Sequence, residues 1–251
     1  MSASWYIYDR LIDGIASDAV ADACLVGSTW TLVQAEGIGM AMTYPKVDHD
    51  GGLEYPVSGG SLRELATHIK SWDLKKASMG MAAVNAFYNV PDKVEAWVGR
   101  PLHELRTRGA FTDMVDDMVG KKVAVIGHFP GLEAMAARCE FTILERNPLD
   151  GDLPDFAAEY VLPEQDHVFI TGTALTNKTM PRLLELSAQA TVALVGPTVP
   201  LVPWLFDHGV DILAGTVVMD PSQVWKYCEE GGHKGVFDHG AWMVDIRKSR
   251  I

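Results

Sequence analysis

The chain is predicted to be an α/β protein, with an N-terminal α+β domain over residues 1–110 and a doubly wound, mainly parallel sheet domain over residues 111–251. Hydrophobic residues make up 48% of the 251 residues, which is enough for a sizeable core. From Lys121 onward, apolar β-rich segments alternate with helical segments, and this alternation is typical of a parallel sheet covered by helices. Before that point, strands and helices are segregated, as in α+β domains.

Local patterns define the first N-terminal elements. Apolar residues at helical spacing predict an amphipathic helix over 4–20, and β-branched residues predict one strand over Cys24–Glu36. Glycines over Gly37–Gly39 indicate a turn into a second strand, Met40–Tyr44, and the polar stretch Pro45–Gly60 is expected to be a loop.

Two helices complete the N-terminal domain. Ser61, with Glu64 three residues later, forms a capping-box pattern that marks the start of the first. The second is predicted over Leu74–Tyr88, where the small residues of SMGMAAVNA allow close packing against a neighbour. The polar segment Gly99–Gly120 is expected to contain the domain boundary and a linker helix.

The C-terminal domain is predicted from a regular alternation of strands and helices. Strands are expected at KVAVIG, EFTILE, HVFITG and TVALVG and near Asp211–Val217, with helices near 131–138, 178–190 and 220–230. In such a sheet, ligands bind beyond the carboxyl ends of the strands, where the strand order reverses. The loops GHFPG (127–131), TGTALTNKT (171–179) and GPTVP (196–200) are therefore expected to line one crevice.

Charge and cysteine usage narrow the class of partner. Thirty-three acids against 21 bases give a net charge of −12, which argues against nucleic-acid binding. Three well-separated cysteines without a CxxC pattern suggest reduced thiols in the cytoplasm. No signal-peptide pattern opens the chain, and prolines interrupt the longest apolar stretch, so no membrane partner is expected. The surface composition is compatible with a homodimer.

The first loop offers a group for proton transfer. The unperturbed pKa of a histidine lies near neutrality, so His128 is a candidate for proton transfer, and Gly127 begins a turn whose amide groups favour an anion. Phe129 and Pro130 stand where a dinucleotide site needs a second glycine, so they weaken that interpretation. The alternative is that Gly127 only makes the turn and His128 is a solvated loop residue.

An acid ends the second predicted strand. Glu145 lies 18 residues after Gly127, close to the spacing of the acid that binds a ribose in dinucleotide sites. The same layout is compatible with an S-adenosylmethionine-dependent methyltransferase. The alternative is that Glu145 pairs with Arg146 or faces solvent.

The second loop is a candidate anion holder. Gly172, Thr173, Thr176, Asn177 and Lys178 precede a helix whose first turn must contain the next proline, Pro181. Hydroxyl groups and a lysine near a helix start can bind a phosphate or carboxylate. Ordinary helix capping by Asn177 or Thr179 explains at least half of the same pattern. Gly196, Pro197 and Thr198 of the third loop complete the predicted crevice.

Metal-ligand spacing is poor in this sequence. His233, Asp238 and His239 lie close together in a glycine-rich segment, but a polar surface loop accounts for them better than a metal clamp. Which metal, if any, binds is unknown at this stage. No GxSxG pattern indicates a serine nucleophile.

Several short sequence segments, taken together, resemble those of a known family. GHFP, ILERNP with GDLP, NKTMPRLLELS and LVGPTVPLVPWLFDHG are similar to the family labelled "putative heavy-metal chelation", and VGSTWTLV, SLRELA and ASMGMAAVNAFYN are similar to its companion N-terminal domain. The resemblance implies an enolase-N-terminal-like domain followed by a Rossmann-like domain, with a site in the cleft between them. It also implies roles in metal handling, or in making or breaking a pterin-, flavin- or siderophore-like chelator.

Three functional hypotheses follow. The first is an interdomain cleft that binds a small anionic or heterocyclic ligand, as an enzyme with His128 as general acid/base and Lys178 as anion holder. The second is a module that binds a heavy metal or a metal chelate without chemistry, and the third is the methyltransferase. The cofactor is unknown, with a heavy metal or a nucleotide-like molecule as candidates. Asn85 is the best ligand candidate from the N-terminal domain, ahead of Thr29 and Thr31, unless it serves a buried backbone group.

Overall fold

The structure, a computed structural model, describes residues 5–44, 53–55, 57–107 and 109–251. Most of the predicted loop over Pro45–Gly60 lies outside these ranges. The helices are α1 (Tyr6–Asp13), α2 (Leu62–Ala66), α3 (Leu74–Tyr88), α4 (Pro91–Val98), α5 (Leu102–Leu105), α6 (Ala110–Met114), α7 (Glu133–Ala136), α8 (Ala158–Val161), α9 (Thr173–Thr176), α10 (Met180–Leu186) and α11 (Pro221–Glu229). The strands are β1 (Val20–Ala21), β2 (Ala23–Val26), β3 (Trp30–Gln34), β4 (Ile38–Met42), β5 (Leu53–Tyr55), β6 (Gly60–Ser61), β7 (Lys122–Ile126), β8 (Glu140–Glu145), β9 (Leu153–Pro154), β10 (His167–Thr171), β11 (Thr191–Val195), β12 (Ile212–Val218) and β13 (Ala241–Arg247).

The C-terminal part, from β7 onward, is built on a doubly wound sheet. In the described ranges this sheet has seven strands in the order β9-β8-β7-β10-β11-β12-β13, parallel throughout except for β13. The chain moves outward from β7 in one direction, then returns and continues from β10 in the other. The predicted fold class is therefore confirmed, and the carboxyl ends of β7 and β10 form the reversal point at which such sheets bind ligands.

The N-terminal part, before β7, is an antiparallel sheet covered by helices. The strands run in the order β4-β3-β2-β5 over the described residues, and α3 packs against β3 and β4. Ser61 accepts a hydrogen bond from the amide of Glu64, so the predicted cap of α2 is confirmed. The predicted helix Leu74–Tyr88 is confirmed residue for residue as α3.

Two N-terminal predictions are wrong. The segment predicted as one strand over Cys24–Glu36 is a hairpin, because the amide of Gly27 donates to the carbonyl of Trp30 and reverses the chain. The helix predicted over 4–20 ends at Asp13. Gly14 follows it, packed so closely that a Cβ there would lie 2.1 Å from the hydroxyl of Tyr88.

The segment Gly99–Gly120 is more than a polar linker. Phe111, Met114 and Met118 are buried in the core on one face of the large sheet. Near them, Arg106 bridges to Val244 of β13, a strand that the sequence analysis did not predict. The hydrophobic core is continuous across the predicted boundary at residue 110, whose position stays a prediction.

Among the described residues, no helix has the length and apolar character needed to cross a membrane.

Candidate functional site

The three predicted loops meet at the carboxyl edge of the large sheet. Gly127 follows β7, and a Cβ on it would lie 3.3 Å from the Thr171 side chain at the end of β10. Gly172 lies against the third loop so tightly that a Cβ there would be 2.7 Å from the amide nitrogen of Val199. The backbone of Gly127 has a φ of +99°, a region that favours glycine. The predicted convergence of the loops is thus observed.

The ring of Phe129 lies against the glycines of the first and third loops. A Cβ on Gly127 would be 3.5 Å from one edge of this ring, and a Cβ on Gly196 would be 3.8 Å from it. The ring also packs against Phe111 with a centroid distance of 5.0 Å. An apolar ring therefore occupies the space above the two glycines.

Glu145 holds the first loop in place. One carboxylate oxygen accepts the amide N–H of His128 at 3.0 Å, and the other accepts those of Arg146 and Asn147 at 2.7 and 3.2 Å. The sequence-based alternatives were a ribose ligand, a pair with the Arg146 side chain, or solvent. The observed partners are backbone amides, so Glu145 supports the loop, and direct ligand contact by this acid stays a prediction.

We expect Glu145→Gln to destabilise the protein by about 1–2 kcal/mol, because an amide replaces one acceptor oxygen with a donor that faces backbone N–H groups. Urea unfolding measures the loss, and hydrogen exchange at the His128 amide should become faster. Glu140→Gln, at the exposed start of the same strand, is the matched control and should change the unfolding free energy by less than about 0.5 kcal/mol. Equal stability of the two variants would contradict this role of Glu145.

Two side-chain contacts to carboxylates lie side by side along this edge, one made by a histidine and one by an arginine. His128 Nδ1 is 3.1 Å from Asp152, whose side chain is only 4% exposed, and Arg146 Nε donates to Asp155 at 2.9 Å. The two acids flank the short strand β9. From the N-terminal part, the hydroxyl of Tyr44 accepts a hydrogen bond from Arg146 Nη1 at 3.4 Å. No pattern in the sequence indicates Tyr44, Asp152 or Asp155 as a candidate site residue.

The second loop is divided between half-buried and fully buried groups. Asn177 accepts hydrogen bonds from the amide and hydroxyl of Thr179, but α10 begins at Met180 without a side-chain cap, so the capping that the sequence left as an alternative is not observed. Thr173 is half-buried and hydrogen-bonds to Thr171. Thr176 is fully buried, and its hydroxyl has no partner among the described residues.

Lys178 connects the two parts of the chain. It is the one non-glycine residue with positive φ in the described ranges, at +68°. Its ammonium donates to the carbonyls of Ser71 and Thr176 and lies 5.8 Å from the ring centre of Trp72. Partial burial lowers its pKa to about 8, although nearby Asp73 acts in the opposite direction. Within the described residues, Lys178 and His128 share no contact, so their joint catalytic role stays a prediction.

The third loop is tied to the N-terminal part. Asn85, fully buried on α3, donates to the carbonyls of Met40 and Pro197 at 2.7 and 3.3 Å. Thr198 is also buried and accepts the amide N–H of Met42. Both side chains therefore serve backbone groups across the interface, which was the alternative considered for Asn85. Pro197 itself is half-buried and faces the edge.

The described residues do not fit a direct metal site. No three His, Cys, Asp or Glu side chains among them lie close enough to hold one ion. Burial raises the pKa values of the Cys24 and Cys228 thiols to about 12, so the thiolates that bind heavy metals are disfavoured. His233 contacts Thr29, whereas His239 stacks on another aromatic ring, so these histidines do not converge. Thr31 is buried, and its hydroxyl is hydrogen-bonded to the hydroxyl of Thr43.

A cavity of about 400 Å³ lies at the opposite, amino edge of the sheet. His167, Thr191 and Ile212, each the first residue of a parallel strand, contribute to its lining, as does Arg247. Arg247 is already paired with Asp245 and Asp117. We favour the carboxyl edge as the candidate site, because the three loops and the His128–Asp152 pair lie there.

The comparisons with known proteins agree with this architecture. Residues 110–245 match the model of the DUF364 family, described as "Putative heavy-metal chelation", and residues 8–88 match the DUF4213 model with the same description. An uncharacterised protein of Methanocaldococcus jannaschii is 30% identical over 211 residues, 79% of this chain and 78% of that protein.

Two crystal structures of proteins with unknown function share the fold. The one from Desulfitobacterium hafniense is 35% identical, with a TM-score of 0.87 over 99% of this chain and 100% of that chain. The one from Pyrococcus horikoshii is 22% identical, with a TM-score of 0.72 over 96% and 98%, and supports the fold alone. By its sequence matches over both parts, the chain belongs to the DUF364 family, described as "Putative heavy-metal chelation".

Proposed function

We propose that the protein binds a small anionic or heterocyclic molecule at the carboxyl edge of the sheet, between its two parts, and transfers a proton to or from it through His128. The convergence of the three loops beside the His128–Asp152 pair is the observation that carries this proposal. A ligand of the chelator class, such as a pterin-, flavin- or siderophore-like molecule or its precursor, agrees with the family description.

The His128–Asp152 pair has the arrangement of a general acid/base. The Asp152 carboxylate is almost fully buried, accepts the amide N–H of Leu149 at 2.9 Å, and contacts His128 Nδ1. This contact orients the imidazole, and the other ring nitrogen, Nε2, has no hydrogen-bond partner among the described residues. The exposed fraction of the His128 side chain is 41%. An imidazole that a carboxylate orients in this way can act as a general acid or base.

Native mass spectrometry of protein purified from its own host tests for the ligand, and a retained small molecule is the expected result. With that molecule or its product as substrate, His128→Asn should lower turnover by about 100-fold or more while binding changes little. His103→Asn, at an exposed position of the short helix α5, should leave turnover unchanged. Undiminished turnover by His128→Asn would exclude the proton-transfer role.

A module that carries a metal within an organic chelate is the second candidate, and the family description favours it. The described residues offer no direct site for a bare ion. In this second candidate, the protein would therefore bind the chelator's own groups at the same edge, and the chelator would hold the metal. Elemental analysis of protein from its own host distinguishes the two, because a metal that co-purifies with an organic molecule and is not turned over supports transport or storage.

A further inference from the structure

Arg146 has unused hydrogen-bonding capacity at the proposed site. An arginine carries N–H donors on all three guanidinium nitrogens. Nε donates to Asp155 at 2.9 Å and Nη1 to the Tyr44 hydroxyl at 3.4 Å. Within the part of the chain that the structure describes, Nη2 has no protein partner. The exposed fraction of the Arg146 side chain is 39%, so this nitrogen is open to a ligand.

The carboxylates around Arg146 are already satisfied by the protein. Glu145 accepts three backbone N–H groups, and Asp152 accepts the amide of Leu149 in addition to its contact with His128. Asp155 faces Arg146 itself. Among the described side chains of this group, the Arg146 guanidinium therefore keeps N–H donors that no protein acceptor uses. Such donors bind acceptor-rich, negatively charged groups.

Contacts from both parts of the chain fix the position of the guanidinium. Asp155, next to β9, holds Nε, while Tyr44 reaches Nη1 from the N-terminal part. Tyr44 is itself anchored, because its amide donates to the buried Ser78 side chain of α3 at 3.0 Å. An arginine fixed in advance loses less conformational freedom when it binds an oxyanion.

We infer that Arg146 is the recognition residue for an oxyanion group, a phosphoryl or carboxylate, on the ligand, and that Tyr44 positions it from across the interface. This inference rests on the proposed function and narrows its ligand to molecules that carry such a group. Because Phe129 fills the space above Gly127 and Gly196, the oxyanion binds beside β8 and β9 rather than over the glycine loop.

Calorimetric titration of the full chain with inorganic phosphate, pyrophosphate and citrate tests the inference. The first two probes stand for phosphoryl ligands and the third for carboxylates, so the preferred probe identifies the source of the oxyanion. Arg146→Met should weaken binding by roughly tenfold or more, and Arg146→Lys should restore part of it. Arg182→Met is the matched control, since Arg182 is also exposed and paired with two acids, Glu159 and Glu185, and its loss should leave binding unchanged.

The positioning role of Tyr44 has a separate test. Tyr44→Phe should weaken binding several-fold in the wild-type background and have no effect in the Arg146→Met background, because the hydroxyl acts through the guanidinium. Binding of a probe that survives Arg146→Met, or a wild-type protein that binds no probe, overturns the inference. A retained host molecule without an oxyanion would also overturn the inference, but it would leave the proposed function intact. The proposed function fails if no molecule is retained and none is turned over.

Discussion

Gly39→Ala is expected to destabilise the protein by about 3 kcal/mol or more, because β4 and α3 touch through their backbones at this residue. A Cβ on Gly39 would lie 2.0 Å from the Ala82 carbonyl oxygen and 2.0 Å from the Ala86 amide nitrogen. Both atoms belong to helix backbone, so no side-chain rotation relieves the overlap. The strand and the helix must separate, and α3 carries Asn85, which connects the strand to the third loop.

Thermal unfolding measures this effect, with an expected fall in melting temperature of roughly 10 °C. Gly109→Ala is the control, because the backbone of Gly109 is extended, with a φ of 168°, and a Cβ there would meet only the Thr112 side chain at 3.5 Å. The control should cost less than about 1 kcal/mol. Similar melting temperatures for the two variants would contradict the close approach of β4 and α3.

Asn89→Leu is expected to cost about 3–5 kcal/mol, because Asn89 satisfies three buried backbone groups across the interface. Its amide donates to the carbonyls of Val199 and Thr216 at 3.0 Å each, and its oxygen accepts the Leu201 amide at 2.8 Å. Leucine has a similar volume, so packing is largely kept while two carbonyls and one N–H lose their partner. The side chain is 3% exposed, so water cannot replace it without opening the interface.

Calorimetry tests this prediction and also shows whether the two parts of the chain still unfold together. We expect the Asn89→Leu transition to be lower in temperature and to broaden or split, since the three hydrogen bonds that Asn89 makes join the two parts. Asn147→Leu, at an exposed position just after β8, should leave the transition within about 0.5 kcal/mol of wild type. An Asn89→Leu protein as stable as this control would show that the interface does not depend on Asn89.

The sequence predicts which edge of the sheet carries the candidate site, but it does not predict how the side chains at that edge pair with one another. Strand periodicity placed Gly127, Gly172 and Gly196 after their strands, and the positive φ of Gly127 and Gly196 is a local backbone requirement, whereas Gly172 is required by its close packing against Val199. Local spacing offers Arg146 only as a partner for Glu145. Its observed partner Tyr44 is 102 residues away in sequence, and no local pattern indicates such a pairing. The sequence identifies His128 as a candidate, but not the buried Asp152 that orients it.

Several misses have a common physical origin. The hairpin at Gly27 is predicted as one strand, because the apolar β-rich residues continue on both sides of the turn. Strand β13 is not predicted because its apolar residues lie between an irregular glycine-rich segment and the basic tail. Its antiparallel pairing with β12 depends on the tertiary fold. The role of Asn89 is hidden at the end of a predicted helix, where an asparagine is an ordinary terminator.

The sequence by itself determined the two kinds of architecture, the strand alternation of the large sheet, the cap at Ser61 and the convergence of three loops at one edge. These properties depend on periodicity, backbone conformation and neighbours within a few residues. Only the tertiary structure decided that Phe129 covers the glycines, that Glu145 supports a loop, and that Arg146 meets Tyr44 between the two parts. Such contacts join distant segments, and the packing of the whole chain selects them.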